Sequence, residues 1–297
     1  MAQTVSGLIA AYLASVPAKS RRPYRRVLDM WIRWCADNAI DMMHVRRSHI
    51  DAWKIWRVEH MGVSPATLAA ELTPICCFYE YLWQEGYLER NPAEHVKRPT
   101  QRRWSDGSWL SEEQASKFLA LAEADRRTWV GAACALLLLN GLRRNEVLGL
   151  DIADYHRVDG RPTLHVKRKF DWMQEVGLAD RTAADVERAI GKRATGPLLL
   201  YRGKRLQSQT LAATIADLGK QSGADRRITP HSLRRTFATT ARRHGVPDRE
   251  IMASGAWSSR EMIDRYDMGR LAVTNAASTA VSAALTNTDP TERTSQE

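Results

Sequence analysis

Apolar residues recur with a period of about 3.6 along much of the chain, which is the pattern of helices that bury one face. In the first hundred residues the pattern predicts four helices, at 5–16, 23–38, 50–61 and 65–84. No stretch there alternates apolar and polar residues in the manner of a strand. We therefore expect a helical bundle whose core contains five tryptophans: Trp31, Trp34, Trp53, Trp56 and Trp83.

The helical pattern stops at Asn91-Pro92, and residues 99–108 are polar and basic, with a proline at their start. This composition is typical of a linker between domains. It predicts an N-terminal domain at 1–98 and a second domain at 109–285. The polar residues 286–297 are expected to form a disordered tail.

The second domain combines helices with a short run of strands. The strand pattern occupies three segments, at 152–157, 163–168 and 174–178, and Asp159-Gly160 joins the first two as a turn. Helical patterns cover the other segments, at 111–124, 127–140, 180–192, 208–221, 230–243, 247–254, 259–267 and 271–285. The expected fold is mainly α, with a small antiparallel β-sheet in an α+β second domain.

Cations exceed anions along the whole chain. Forty-four lysines and arginines stand against 34 acidic residues, which gives a formal net charge of +10 at pH 7. Much of the excess comes as adjacent arginines, at 21–22, 25–26, 46–47, 102–103, 226–227, 234–235 and 242–243. One such pair is compatible with an ordinary solvated surface, but the full set favours a polyanionic partner, of which nucleic acid is the commonest. A basic linker between two basic domains suggests a clamp around a duplex.

The cysteines and the apolar runs argue against several classes of protein. Cys35, Cys76, Cys77 and Cys134 form no C-x-x-C pair and have no histidine at metal-binding spacing, so neither a zinc site nor a disulfide framework is indicated. The start of the chain lacks the pattern of a signal peptide, and the longest strongly apolar run, 132–139, is too short to cross a bilayer. We expect a cytoplasmic protein without a metal, a cofactor or a membrane contact.

A helix start at Thr229-Pro230 carries the most informative polar residues. Threonine followed by proline predicts an N-cap, which places His231 in the first turn and Arg234 one turn later on nearly the same face. Because unpaired backbone N–H groups point out of a helix N-terminus, such an end with a histidine and an arginine is suited to bind an anion.

A second helix start follows at Ser258, which forms a capping box with Glu261 and would place Tyr266 two turns on. The ordered set of His-x-x-Arg, an aromatic residue and a tyrosine nine positions later resembles the C-terminal signature of the tyrosine recombinase (phage integrase) family. The sequence Gly-Leu-Arg-x-x-Glu around Arg143 resembles the context of that family's first arginine. The resemblance is detailed from residue 109 to 266, and only architectural for the first hundred residues.

The resemblance implies an N-terminal core-binding domain, which clamps DNA, and a C-terminal catalytic domain. It also implies a site-specific recombinase that cleaves and rejoins DNA through a 3′-phosphotyrosyl intermediate, without metal or cofactor. The closest pattern is that of compact Xer-type and phage integrases that lack an arm-binding domain.

The family's functional residues can be carried over by position. The resemblance implies that Arg143 and Arg234 bind the scissile phosphate and that Tyr266 is the nucleophile. Guanidinium is permanently charged and can bind phosphate through two hydrogen bonds, which suits it to stabilise charge in phosphoryl transfer. Glu146 is expected to orient Arg143, although the two would form an ordinary i,i+3 ion pair if read alone.

Proton transfer is expected to depend on His231 and on a lysine. Trp257 stands where most relatives have a second histidine, and its indole N–H can donate to phosphate but cannot carry a proton. The family places its lysine in the turn between the second and third strands, where Lys167-Arg168-Lys169 lies here. Alternation puts both lysines on one strand face, so the pattern alone does not separate them. Counting along the two strands favours Lys169, although the glycines that usually flank this lysine are missing.

The partners implied are double-stranded DNA recombination sites and three further copies of the chain. The family commonly joins a homotetramer on DNA by passing a C-terminal segment to a neighbour, a role that fits the narrow apolar stripe of residues 271–285. The resemblance also implies a nucleoid-associated location and leaves open an accessory directionality protein. Two alternatives are a type IB topoisomerase and a non-catalytic DNA-binding regulator of the same fold.

Overall fold

The computed structural model describes residues 4–100, 108–168 and 172–264. The chain forms two compact units, Met1–Arg102 and Arg103–Glu297. The division falls inside the predicted linker at 99–108. Among the described helices, none has the length and hydropathy required to span a membrane.

The first unit contains the four predicted helices. They are α1 (Val5–Ser15), α2 (Ala18–Asp37), α3 (Arg47–Glu59) and α4 (Pro65–Gln84), with a 3₁₀ turn at Met42–His44. The start of α2 was predicted at Pro23, which is wrong: the helix begins five residues earlier and contains the proline. Arg21 explains the early start, because its guanidinium donates to the carbonyls of Ala14 and Val16 and so ties the new helix to the end of α1.

Tryptophan packing forms the centre of this unit. The Trp31 indole Nε1 donates to the Tyr79 hydroxyl at 3.1 Å, and the ring meets Trp53 edge to face at 5.8 Å between centroids. The predicted core positions of Trp31, Trp34 and Trp53 are confirmed, whereas Trp56 is half-buried. The prediction for Trp83 is wrong: this side chain is 45% exposed, because its neighbour Leu82 occupies the inward face of α4.

The described part of the second unit contains seven helices, a further short helical segment and two small antiparallel sheets. The helices are α5 (Glu112–Ala124), α6 (Thr128–Leu138), α7 (Arg144–Gly149), α8 (Asp180–Ile190), α9 (Ser208–Gln221), α10 (Pro230–Arg243) and α11 (Asp248–Gly255). Residues 260–264 are also helical and start one position later than predicted. This is the mainly helical fold with a small sheet that the sequence predicts.

The three-stranded sheet has the order β1 (Tyr155–Val158), β2 (Arg161–Lys167), β3 (Met173–Gly177). Asp159 and Gly160 have φ values of +48° and +76°, the left-handed pair that a tight hairpin turn requires, so the predicted turn is confirmed. Residues 152–154, predicted as strand, form a 3₁₀ turn instead. A second hairpin of β4 (Leu200–Tyr201) and β5 (Lys204–Arg205) was not predicted, because two-residue strands leave no periodic pattern.

Helix α6 lies at the centre of the second unit, and all of its residues from Trp129 to Leu138 are buried. It packs against α5, α8 and α10. Gly141 ends the segment with a φ of +60°, and a Cβ at this position would lie 2.5 Å from the Phe237 ring. The chain therefore turns sharply between the buried helix and Arg143.

Candidate active site

Arg143 is the residue before α7 and is held by the helix that it precedes. Its Nη1 donates to Glu146 Oε1 at 2.8 Å, and its backbone N–H donates to Glu146 Oε2 at 2.7 Å. Its Nη2 donates to the carbonyl of Ala256 at 2.6 Å. The Arg143 side chain is 33% exposed, so its guanidinium is fixed on one side and reaches solvent on the other.

Arg234 lies in α10, whose start is built as predicted. Thr229 caps the helix, because its Oγ1 accepts from the N–H of Ser232 at 3.1 Å. The Arg234 guanidinium donates to the carbonyls of Gly141 and Gly255. It is buried, and its charge is compensated by backbone oxygens at the ends of α6 and α11.

Trp257 closes the site from the end of α11. Ala256 adopts the left-handed conformation with a φ of +51°, which turns the next residue back over the helix end. The Trp257 ring is buried and stacks on Phe237 at 6.2 Å between centroids, with 3° between the ring planes. A Cβ on Gly255 would lie 1.9 Å from this ring, so only glycine leaves room for it.

A cleft of about 510 Å³ brings four of the predicted site residues together: Arg143, His231, Arg234 and Trp257. Two guanidinium groups and a helix N-terminus with a histidine in its first turn face the same space. This arrangement attracts an anion. The roles assigned to these residues from the sequence stay predictions.

His231 has a lowered pKa. Partial desolvation is the main cause, because it disfavours the charged imidazolium although part of the residue is exposed, and the positive charges of Arg234 and Arg235 act in the same direction. The imidazole is therefore neutral at neutral pH, the form that accepts a proton.

Lys169 and Tyr266, two of the predicted residues, lie outside the described residues. The alternative lysine, Lys167, lines a neighbouring cleft of about 580 Å³ that Arg143 and Glu146 also line. The choice between the two lysines stays open. Ser258, predicted to cap the helix that carries Tyr266, donates its hydroxyl to the Met262 sulfur at 3.5 Å.

Sequence reasoning missed Arg168, whose side chain is fully buried. Its Nη1 donates to Glu146 Oε2 at 2.7 Å, its Nη2 to the carbonyl of Ser254 at 2.8 Å, and its Nε to Gln174 Oε1 at 2.9 Å. A signal for this position existed. Arg168 continues the alternation of Leu164 and Val166, both buried, and so points inward.

Within the described ranges, no group of three or more histidine, cysteine, aspartate or glutamate side chains could hold a metal ion. The charged side chains that line the cleft are those of Arg143, Arg144 and Arg234, which suit an anionic ligand.

Comparison with known proteins gives the cleft a context. The phage integrase family model matches residues 108–269. The chain is 25% identical over 225 residues to tyrosine recombinase XerC of Thermodesulfovibrio yellowstonii, across 71% of this chain and 74% of that relative. It is 24% identical over 235 residues to tyrosine recombinase XerD of Oceanobacillus iheyensis, across 75% of this chain and 78% of that relative.

Two solved structures are similar in fold to most of this chain. A lambda integrase tetramer bound to a Holliday junction has a TM-score of 0.71 at 17% identity, covering 89% of this chain and 77% of that one. A XerH site-specific recombinase in a post-cleavage complex with DNA has a TM-score of 0.65 at 17% identity, covering 80% and 73%.

Proposed function

The chain belongs to the phage integrase family of tyrosine recombinases, and we propose that the cleft between α7, α10 and the end of α11 binds the scissile phosphate of a DNA recombination site. A tyrosine recombinase cleaves and rejoins DNA. The observation that carries the proposal is the convergence of Arg143 and Arg234 on one cleft from positions far apart in the sequence.

The reaction proposed for this site is an in-line displacement at phosphorus. The Tyr266 oxygen attacks the phosphate, a bond forms between that oxygen and phosphorus, and the bond from phosphorus to the 5′ oxygen breaks. The product is a 3′-phosphotyrosyl linkage and a free 5′-hydroxyl, and attack by another 5′-hydroxyl reverses the step. Arg143 and Arg234 stabilise the charge on the non-bridging oxygens in the transition state.

Two proton transfers accompany this displacement. A tyrosine has an ordinary pKa near 10, so its oxygen must lose a proton as it attacks. His231 is neutral and lines the cleft, and we assign it as the acceptor. The leaving 5′ oxygen gains a proton from Lys169 or, in the alternative, Lys167.

Cleavage by arginine variants tests this proposal. In Arg143→Ala and Arg234→Ala, DNA binding should persist while single-turnover cleavage slows by at least about 10²-fold, because one charged transition-state contact is removed. Arg202→Ala is a matched control, since this arginine lies in the β4–β5 turn against Tyr201 and does not line the cleft. Near-normal cleavage by either cleft variant would reject the phosphate-binding role.

We further propose that four copies of the chain assemble on two DNA sites. Support comes from the lambda integrase neighbour, a tetramer bound to a Holliday junction, and from the apolar stripe at 271–285, which lies outside the described residues. Truncation after Arg270 should preserve binding to one site and abolish strand exchange between two. Full-rate exchange by the truncated chain would exclude this segment as the connection.

Neither alternative function receives support from the comparisons. The two relatives described above are both named as tyrosine recombinases.

A further inference from the structure

Four consecutive backbone carbonyls at the end of α11 accept hydrogen bonds from four different side chains. The donors are Gln174 to Ala253 at 2.8 Å, Arg168 to Ser254 at 2.8 Å, Arg234 to Gly255 at 2.6 Å and Arg143 to Ala256 at 2.6 Å. We call the carbonyls of residues 253–256 the α11 collar. The collar joins both proposed phosphate-binding arginines to β2–β3.

The physical basis of the collar is the unsatisfied end of a helix. The last carbonyls of a helix have no intrahelical partner and carry the negative end of its dipole, so cations stabilise them. Here three of the donors are guanidinium groups. The collar therefore places backbone oxygens against three positive charges that lie close together.

Arg168 occupies a special place among these donors, because it contacts both the collar and Glu146. Glu146 Oε1 binds Arg143 Nη1, and Glu146 Oε2 binds Arg168 Nη1 at 2.7 Å. The Glu146 carboxylate is thus fixed between two guanidinium groups. One of these, Arg143, faces the cleft, and the other is fully buried.

We propose that Arg168 is a positioning residue of this site: by binding the second oxygen of Glu146 and the carbonyl of Ser254 together, it fixes the direction in which Arg143 presents its guanidinium. Arg143 makes its two anchoring side-chain contacts to these same structures, Glu146 and the collar. Removal of Arg168 leaves the carboxylate without its buried charged partner and releases the collar from β2, so both anchors of Arg143 loosen.

Misplacement of a charged group by about 1 Å in a phosphoryl-transfer site costs on the order of 10²-fold in rate. Arg168→Met, which is close in volume and apolar, should therefore slow single-turnover cleavage by about that factor. DNA affinity should change little, since Arg168 is buried and reaches no solvent. This inference depends on the proposed role of Arg143 at the phosphate.

The experiment is a double-mutant cycle on a nicked duplex that traps the covalent product. If Arg168 acts through Arg143, then adding Arg168→Met to Arg143→Ala should slow cleavage by less than about threefold more, because the residue that Arg168 positions is already absent. A full, multiplicative loss in the double variant would overturn the positioning role. Unchanged cleavage in Arg143→Ala alone would instead overturn the proposed function, so the two failures are distinguishable.

A matched variant separates positioning from general stability. Arg193, like Arg168, binds backbone oxygens through its guanidinium. It lies just after α8, does not line the cleft, and donates to the carbonyls of Ala189, Ile190, Pro197 and Leu198. Arg193→Met should lower the melting temperature and leave the cleavage rate of folded protein unchanged. If it slows cleavage as much as Arg168→Met, then loss of an arginine that binds backbone carbonyls is enough to explain the effect and the inference is wrong.

Arg168→Lys is the second variant, for use in the same cycle if Arg168→Met does not fold. Lysine keeps the charge but cannot donate to Glu146 and to the Ser254 carbonyl with the fixed geometry of guanidinium. We expect cleavage between that of the wild type and that of Arg168→Met, with the same non-additivity toward Arg143→Ala. Wild-type cleavage by Arg168→Lys would contradict the requirement for both contacts.

Discussion

The guanidinium carbon of Arg234 lies 3.8 Å from the centre of the Trp257 ring, in a position where both residues are buried. At this distance the ring face stabilises the cation, an interaction worth about 2 kcal/mol when both groups are desolvated. Phe237 also stacks on the Trp257 ring, and the planes of these two rings are nearly parallel. Trp257 therefore contributes to the site by holding Arg234, a role that needs no proton transfer.

Gly255→Ala tests the importance of this ring position. The new methyl group would collide with the Trp257 ring, so the ring must leave Arg234. We expect cleavage to slow by at least about 10-fold, with DNA binding retained, because a displaced arginine stabilises the transition state less well. Single-turnover cleavage and a melting curve measure the two effects.

Gly149→Ala is the control for that variant. Gly149 is the last residue of α7, as Gly255 is the last residue of α11, but a Cβ at Gly149 meets nothing within 4 Å. It should cleave at the wild-type rate. Equal rates for the two alanine variants would show that the ring position does not matter.

The pH dependence of cleavage should report His231. Because partial desolvation and two arginines lower its pKa, the imidazole stays neutral to a pH below the 6.5 of an ordinary histidine. The single-turnover rate should therefore hold from neutral pH down past 6.5 and fall only at lower pH, as His231 becomes protonated and loses its ability to accept a proton.

Two variants of α10 check the assignment of that acidic limb. The His231→Asn variant should cleave DNA slowly, and its cleavage rate should no longer fall at low pH. His244 lies at the exposed C-terminal end of the same helix, and His244→Asn should keep the pH profile of the wild type. A limb that persists in His231→Asn would assign the titration to another group.

The two lysines can be separated by chemical rescue. If Lys169 protonates the leaving 5′ oxygen, Lys169→Ala should cleave ordinary DNA about 10²–10⁴-fold more slowly. A duplex with sulfur at the 5′ bridging position should restore much of the rate, because the thiolate leaves without a proton. Rescue of Lys167→Ala, with no effect in Lys169→Ala, would assign the role to Lys167, which lines the neighbouring cleft together with Arg143.

A buried carboxylate in α8 gives a prediction on stability. Asp185 is 2% exposed, its Oδ1 lies 2.9 Å from Arg188 Nη1, and burial raises its pKa above 3.8. An acid with a raised folded-state pKa binds its proton more tightly when folded, so its contribution to stability is present below 3.8 and is lost as pH rises through the folded-state value. The free energy of unfolding of Asp185→Asn, relative to the wild type, should therefore increase over that pH range.

Asp180→Asn serves as the comparison for that measurement. Asp180 is exposed in the first turn of the same helix, where a negative charge interacts favourably with the helix dipole. Its loss should cost about 0.3–1 kcal/mol near neutral pH. If both variants show the same pH dependence, burial of Asp185 is not the cause.

The sequence predicted best where local chemistry decides the structure. Helices α9 and α10 begin and end at the predicted residues, and the Thr229 cap forms because its hydrogen bonds involve only neighbouring residues. The same locality made Arg143 and Glu146 a predictable pair, since they are three residues apart.

The partners of buried charges were not predictable, because they are distant in sequence, even where alternation along a strand indicates the inward direction of the side chain, as at Arg168. Arg168 binds the Ser254 carbonyl 86 residues away. In the first unit, Arg57 and Glu71 form a buried ion pair with Nη2 and Oε1 2.6 Å apart, and no sequence pattern distinguishes these side chains from solvated ones. Trp83 shows the converse: a large apolar residue suggested burial, and only the packing of α4 decided its exposure.

Covalent attachment through Tyr266 tests the central claim most directly. Purified protein is incubated with a nicked duplex that prevents rejoining, and the adduct is isolated and its modified residue identified by peptide mapping. We predict that the wild type forms an adduct on Tyr266 alone, and that Tyr266→Phe binds the same duplex with unchanged affinity but forms none. An adduct recovered from Tyr266→Phe, or mapped to a different residue of the wild type, would contradict the account.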